Sequence, residues 1–283
     1  MTLNKLFCSI IIGLILLLNF SDLSTAAKAK AKAAKSKRAY SVSARSAIFS
    51  NSTQGERYYG KNINTKVIPA STTKVMTALL VLEKLPLDQV ITVSRRAVGA
   101  PPSNIHLKAG EKFKVRDLLY AILLNSANDA AIVLAEAVAG SEWKFVAMMN
   151  DRAKQLGAKN TKFANASGLP TKKVRQYTTA YDMYLIFRQA LKHGFFKNAV
   201  ADKHRTISSL GGRKVNLRNH NKMLFKGWKK NIYGKTGYTR AAKACFVGYF
   251  MKEKEVHIIA VFGCTRRWDD IKHIISRYSS IVL

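Results

Sequence analysis

Acidic residues are scarce in this chain: 16 Asp and Glu stand against 48 Lys and Arg, a formal net charge of +32 over 283 residues. Such an excess favours anionic partners. Nucleic acid is not among them, because the chain has neither a Cys/His zinc spacing nor an aromatic RNA-binding signature. Membrane surfaces and wall polymers remain, beside the plainer reading of an organism whose proteins are basic in general. The six histidines show no H-E-x-x-H or other ligand spacing. They read as surface or structural residues, so neither a metal nor another cofactor is expected. Cysteine is also sparse, with three residues, which rules out a disulfide framework. Cys245 and Cys264 lie on neighbouring strand-like segments, where a cross-strand disulfide and two small buried thiols are both open readings.

Apolar residues are plentiful. At 48% hydrophobic and 10% aromatic, the chain can build a full core without a metal or disulfide staple. The N-terminus has Lys5, an apolar run from Leu6 to Phe20 and then Ser24-Thr25-Ala26. That is the pattern of a removable export signal cleaved after Ala26, with an uncleaved anchor as the other reading. The run is shorter than the roughly 20 apolar residues of a spanning helix. Ala26 to Arg38 is a low-complexity stretch of mainly Ala and Lys with no large apolar residue to bury, and residues 27–40 read as a basic linker. Cys8 leaves with the leader, and residues 41–283 form the globular body.

Within that body, Ala44 to Phe49 and Arg57 to Lys61 read as a hairpin. Ser71 to Leu85 places Val75, Ala78, Leu79 and Leu82 on one side at the helical period, between Pro69 and Pro86. Helical patterns continue at Val115 to Leu124, Ala127 to Val138, Trp143 to Leu156 and Thr179 to Leu191. Thr179-Ala180-Tyr181-Asp182 resembles a capping box, which makes Asp182 a helix-start device. Strand patterns return at Arg205 to Ser209 and Arg213 to Leu217 around Gly211-Gly212, then at Lys243 to Phe250 and Val256 to Gly263. Trp268 to Tyr278 closes the chain as a helix. The order predicts an α+β fold: a sheet lobe of about 41–86 and 205–283, with a helical lobe of about 87–204 inserted.

Three short motifs occur in sequence: Ser71-Thr72-Thr73-Lys74, Ser126-Ala127-Asn128 and Lys235-Thr236-Gly237. A second S-x-x-K, Ser141 to Lys144, sits where a helix starts after Gly140 and shows how weak one motif is alone. Residues three apart share a helix face, so Ser71 and Lys74 can meet near a helix N-terminus. A lysine serves as a base only where burial or another cation disfavours its ammonium form, and Lys235 is available as that cation. Lys235-Thr236-Gly237 precedes an apolar strand, which suggests an edge strand able to pair with an extended peptide.

In this order, and with Pro69-Ala70 ahead of Ser71, Asn219-His220-Asn221 and Tyr238-Thr239, the motifs resemble those of the low-molecular-mass D-alanyl-D-alanine carboxypeptidases from roughly Arg45 onward. Ala127 stands where the three-part signature has Asp. The resemblance implies a β-lactamase/DD-peptidase-like fold and an acyl-enzyme on Ser71 that releases the terminal D-alanine of peptidoglycan stem peptides and also takes β-lactams. On that reading Lys74 receives the Ser71 proton, Ser126 relays a proton to the leaving amine and Asn128 orients Lys74 and the substrate amide. Lys235, Thr236 and Thr239 receive the terminal carboxylate, with Arg266 or Arg267 as further candidates or plain surface charge. Gly237 admits the ligand backbone, and the N–H groups of Ser71 and Tyr238 form the oxyanion hole. Many relatives continue into a strand-rich domain and an amphipathic helix; here neither is expected after Leu283. A serine β-lactamase is the nearest alternative, but no E-x-x-L-N pattern occurs among the glutamates. A non-catalytic cationic envelope-binding protein is the other.

Overall fold

The computed structural model describes residues 40–171, 174–279, 281 and 283, so the export signal and all but Tyr40 of the basic linker lie outside the described residues. The first elements are β1 (Ser46–Asn51), β2 (Glu56–Lys61) and α1 (Lys74–Lys84), the last preceded by a 3-10 turn, Ala70–Thr73. Then follow β3 (Val90–Thr92), α2 (Arg95–Val98), β4 (Lys112–Lys114), α3 (Val115–Leu124), α4 (Asn128–Ala139) and α5 (Glu142–Gln155). The remaining elements are α6 (Ala180–Ala190), α7 (Gly194–Ala199), β5 (His204–Ser208), β6 (Lys214–Arg218), β7 (Tyr233–Thr239), β8 (Lys243–Lys252), β9 (Glu255–Cys264) and α8 (Arg267–Tyr278). Among the described residues, no helix is long and apolar enough to cross a membrane.

Apolar residues in the last strands run nearly without a break, because both faces of the sheet are covered. On β9, Ile258, Ala260 and Phe262 enter one core, while Ile259 and Val261 enter another. The first core is shared with the helices, and the second with Ile271, Ile274 and Ile275 of α8. The sheet is antiparallel with strand order β2-β1-β9-β8-β7, so strands from both ends of the body interleave and β7 lies on an edge. This is the α+β arrangement anticipated from the sequence.

Three expectations need correction. The helix expected from Ser71 begins at Lys74, and Ser71 itself lies on the 3-10 turn. α1 is also not amphipathic over its first two turns: every residue from Lys74 to Val81 is buried, because α3, α4 and α6 all pack around it. The β5–β6 hairpin does not join the sheet of residues 205–283; it is a separate two-stranded ribbon lying against α3.

Cys245 and Cys264 are both free. Cys245 belongs to the helix-side core and Cys264 to the α8-side core. Gly263 at φ 68° and a register shift after Ala244 turn the two side chains to opposite faces. A disulfide cannot cross the sheet between them, so the buried-thiol reading is the correct one.

The two ends of the body are joined by a polar clasp. Ser43 donates from its backbone N–H and its hydroxyl to the two carboxylate oxygens of the fully buried Asp270, at 2.8 and 2.5 Å. The same hydroxyl accepts the N–H groups of Thr265 and Arg266. Removing the carboxylate leaves these donors without their acceptor, so Asp270→Ala is expected to cost about 1–3 kcal/mol in urea unfolding.

Candidate active site

Ser71 stands at the mouth of a cleft of about 280 Å³, lined also by Ser126, Asn128, Thr236, Gly237, Tyr238 and Thr239. Its position is set by a tight backbone. Ala70 has φ 48°, a conformation that costs a residue with a Cβ. Against it lies Gly168 at φ 83°, where an added Cβ would come within 1.9 Å of Ala70 O. Gly237 presses from the other side: a Cβ there would meet Ser71 N at 3.0 Å and Pro69 O at 3.1 Å. The close approach that Gly237 permits is therefore to the turn that carries Ser71, whereas the sequence suggested a ligand backbone.

One turn on, Lys74 has no exposed surface. Its Nζ lies 3.3 Å from Ser71 Oγ and donates to Asn128 Oδ1 at 2.7 Å and Ser167 O at 2.8 Å. Burial, and then the nearby Lys235 ammonium, hold its pKa well below the usual lysine value. Burial and Lys235 thus both shift Lys74 towards its neutral form, in which two N–H groups would serve the two carbonyl acceptors and the lone pair would face the Ser71 hydroxyl.

Lys235 reaches the same region from β7. It is 1% exposed and donates to Ser126 Oγ and Thr236 O, both at 3.0 Å. Burial, followed by the charge of Arg267, lowers its pKa to about 7. Ser126 has φ 60° just ahead of α4, a strained conformation that a non-glycine residue seldom keeps outside a functional site. Asn128 is oriented from behind, its Nδ2 donating to Pro101 O at 2.9 Å. The adjacent loop is fixed by Asp129, which accepts the N–H groups of Ile105 and Leu107.

All nine sequence-predicted site residues thus converge on one place, with some differences of detail. Tyr238 is 65% exposed, and Thr239 Oγ1 already accepts the N–H of Ala242 at 3.0 Å. Of the two arginines, only Arg267 lines the cleft, its Nη1 donating to Gly237 O and Cys245 O. Arg266 is exposed and stands outside that lining. Asp182 is a helix-start residue: its N–H donates to Thr179 Oγ1, and its carboxylate accepts Asn160 N–H and Thr161 O–H. Ser141 likewise caps α5.

Two parts of the site were not read from the sequence. Asn165-Ala166-Ser167-Gly168 forms a turn in which Asn165 Oδ1 accepts the N–H groups of Ser167 and Gly168, and that turn presents Ser167 O to Lys74. An Asn two residues before a Ser-Gly pair is a legible turn signal, but nothing local says which side chain the turn will face. The spacing of the histidines suggests surface or structural roles, yet His220 lines the cleft. Its pKa is lowered by partial burial and by the cations Lys235 and Lys74.

The S11 peptidase model, described as D-alanyl-D-alanine carboxypeptidase, matches residues 30–265. The chain belongs to that family. Among curated relatives it is 34% identical over 228 residues to the D-alanyl-D-alanine carboxypeptidase DacF of Bacillus subtilis, covering 78% of this chain and 58% of DacF. It is 35% identical to DacC of Escherichia coli, covering 71% of this chain and 52% of DacC. It therefore spans little more than half the length of these two relatives. Among solved structures, a D-alanyl-D-alanine carboxypeptidase of Mycobacterium tuberculosis superposes with a TM-score of 0.76 at 31% identity, over 82% of this chain and 89% of that one. The Streptomyces K15 DD-transpeptidase gives 0.77 at 29% identity, over 84% and 97%.

Gly168→Ala is expected to push the Ala70–Ser71 turn outward. Misplacing the hydroxyl by about 1 Å should slow acylation by a penicillin about 100-fold in stopped-flow measurements.

Proposed function

We propose that the chain is a serine D-alanyl-D-alanine carboxypeptidase that removes the terminal D-alanine from peptidoglycan stem peptides through an acyl-enzyme on Ser71. The observation that carries this reading is the buried Lys74 amine, 3.3 Å from Ser71 Oγ with its other contacts already satisfied by acceptors. Membership of the S11 family and the solved DD-peptidase neighbours support the same class of substrate.

The substrate lies along the β7 edge. The N–H groups of Ser71 and Tyr238 stabilise the tetrahedral oxygen, which preorganised donors do at no cost in reorganisation. Lys74 takes the Ser71 proton as the hydroxyl attacks the scissile carbonyl. Lys235, as an ammonium bonded to Ser126 Oγ and Thr236 O, keeps one N–H for the terminal carboxylate, and Thr236 and Thr239 complete the binding. Ser126 passes a proton to the departing amine. Asn128 fixes Lys74 and the substrate amide. Water then releases the shortened peptide. Among the described residues no carboxylate lines the cleft, which supports a carboxypeptidase over a β-lactamase that depends on a glutamate for deacylation.

The leader of residues 1–26 and the basic linker of 27–40 fit an exported protein acting outside the cytoplasm, with residues 41–283 as the catalytic part. The net charge of +32 supports electrostatic attachment to an anionic envelope, an attraction that salt weakens.

Intact-mass measurement after penicillin treatment is expected to show one adduct, mapped to the peptide containing Ser71 and absent in Ser71→Ala. Slow loss of that adduct fits the carboxypeptidase, while rapid penicillin turnover would reverse the assignment to a β-lactamase. The pH profile of acylation gives an independent check. The rate is expected to rise with pH as Lys74, whose pKa is lowered by burial, loses its proton, and to fall as pH rises through about 7, where Lys235 gives up its charge. A second-order rate constant that stays level from about pH 6 to about pH 9 would contradict the roles given to both lysines.

A further inference from the structure

A second cleft, of about 720 Å³, adjoins the first. Three stretches of chain connect the two. Ser71 lines the smaller cleft and Ile68 the larger; on the strand side Thr239 lines one and Ala241 the other. Gln176, in the larger cleft, donates to the carbonyl of Leu169 in the smaller.

The larger cleft is cationic. Arg45 ahead of β1, Lys66 on the approach to Ser71, Arg175 in the segment before α6 and Lys243 at the start of β8 all line it, and none of its lining residues is acidic. All four are exposed. None has an acidic partner among the ion pairs of the described residues. Four like charges converging from separate segments repel one another unless an anion lies between them. The Lys66 ammonium is held 4.4 Å from the centre of the Tyr177 ring, which keeps it beside the cleft wall.

The placement relative to β7 indicates what that anion is. With its terminal carboxylate at Lys235 and Thr236, a peptide lying antiparallel to β7 passes Tyr238 and Thr239 with its uncleaved, N-terminal side leading. Ala241 is two residues beyond Thr239, a distance of at most roughly 7 Å in extended backbone. The part of the substrate that leaves the active cleft in this direction enters the field of the four cations.

We propose that this basic cleft is a second substrate subsite, which holds free carboxylates borne by the peptide on the N-terminal side of the scissile bond. The inference rests on the D-alanyl-D-alanine carboxypeptidase reading above and adds to it the chemical class of the upstream substrate: an acidic peptide rather than a neutral one.

The test uses two blocked peptides of equal length ending in D-Ala-D-Ala, one with glutamates upstream of the scissile bond and the other with glutamines at the same positions. The protein as it exists should favour the acidic peptide by about tenfold in kcat/KM, mainly through KM, because each exposed cation contributes modestly. The preference should shrink as salt rises. In the combined Lys66→Gln, Arg175→Gln, Lys243→Gln variant the ratio should fall to near 1, while turnover of the neutral peptide and penicillin acylation stay unchanged. Equal kcat/KM for the two peptides, or a preference that survives in the variant, overturns the proposal. So does equal handling of both peptides combined with salt-sensitive sedimentation on phosphatidylglycerol vesicles that the variant loses, which would assign the four cations to a lipid surface. Fluorescence anisotropy with the same two peptides separates the subsite from the catalytic reading. Preferential binding of the acidic peptide without turnover or penicillin adduct upholds the subsite and rejects the carboxypeptidase; turnover without preference does the opposite.

Discussion

The proposed chemistry depends on a lysine side chain that has lost both water and most of its basicity. A buried ammonium costs several kcal/mol unless paired, and among the described residues the partners of Lys74 are Ser71, Asn128 and Ser167, with no carboxylate. Asp129, whose charge opposes the lowering of the Lys74 pKa, has its oxygens engaged by the N–H groups of Ile105, Leu107 and Ala130. The Asn128 and Ser167 carbonyls satisfy a neutral amine without restoring its charge. Lys235 reinforces this: a second buried cation on the adjoining strand penalises charge on Lys74 and supplies the charge a carboxylate substrate needs. The two lysines share one residue type, and the proposed division of roles between them rests on their different partners.

The rest of the molecule can be understood as what holds these groups in place against their tendency to seek solvent. α1 is enclosed over its first two turns, from Lys74 to Val81, so Lys74 cannot turn outward. The Asn165–Gly168 turn is latched to α1 by Thr77, whose hydroxyl donates to Ala166 O at 2.6 Å, and it closes over the strained Ala70. The edge strand β7 presses Gly237 against Ser71 and is itself held by Arg267. Strain at Ala70 and Ser126 is tolerated because a packed core over-determines both positions. A site of this kind gives up stability for reactivity.

The basic cleft extends the same electrostatic logic outward. In the proposed binding mode one buried cation, Lys235, receives the terminal carboxylate, and four exposed ones face the upstream part of the peptide. A chain so rich in lysine could spread its charge evenly; here cations from four segments line one hollow that adjoins the catalytic cleft.

Sequence alone determined the strands and helices with strong periodicity, the three motifs, the two-ended sheet and the edge position of Lys235-Thr236-Gly237. These are local patterns, or follow from the order in which local patterns occur. It did not determine that Ser167 would bond Lys74, that His220 and Arg267 would line the cleft while Arg266 would not, or that Gly168 and Gly237 are glycines because Ala70 and Ser71 pass so close. It also left the cysteine pairing open, which a left-handed glycine and a register shift decided. Each of those facts is a distance between residues far apart in the chain, and only the packing of the helices and the sheet around α1 fixes such distances.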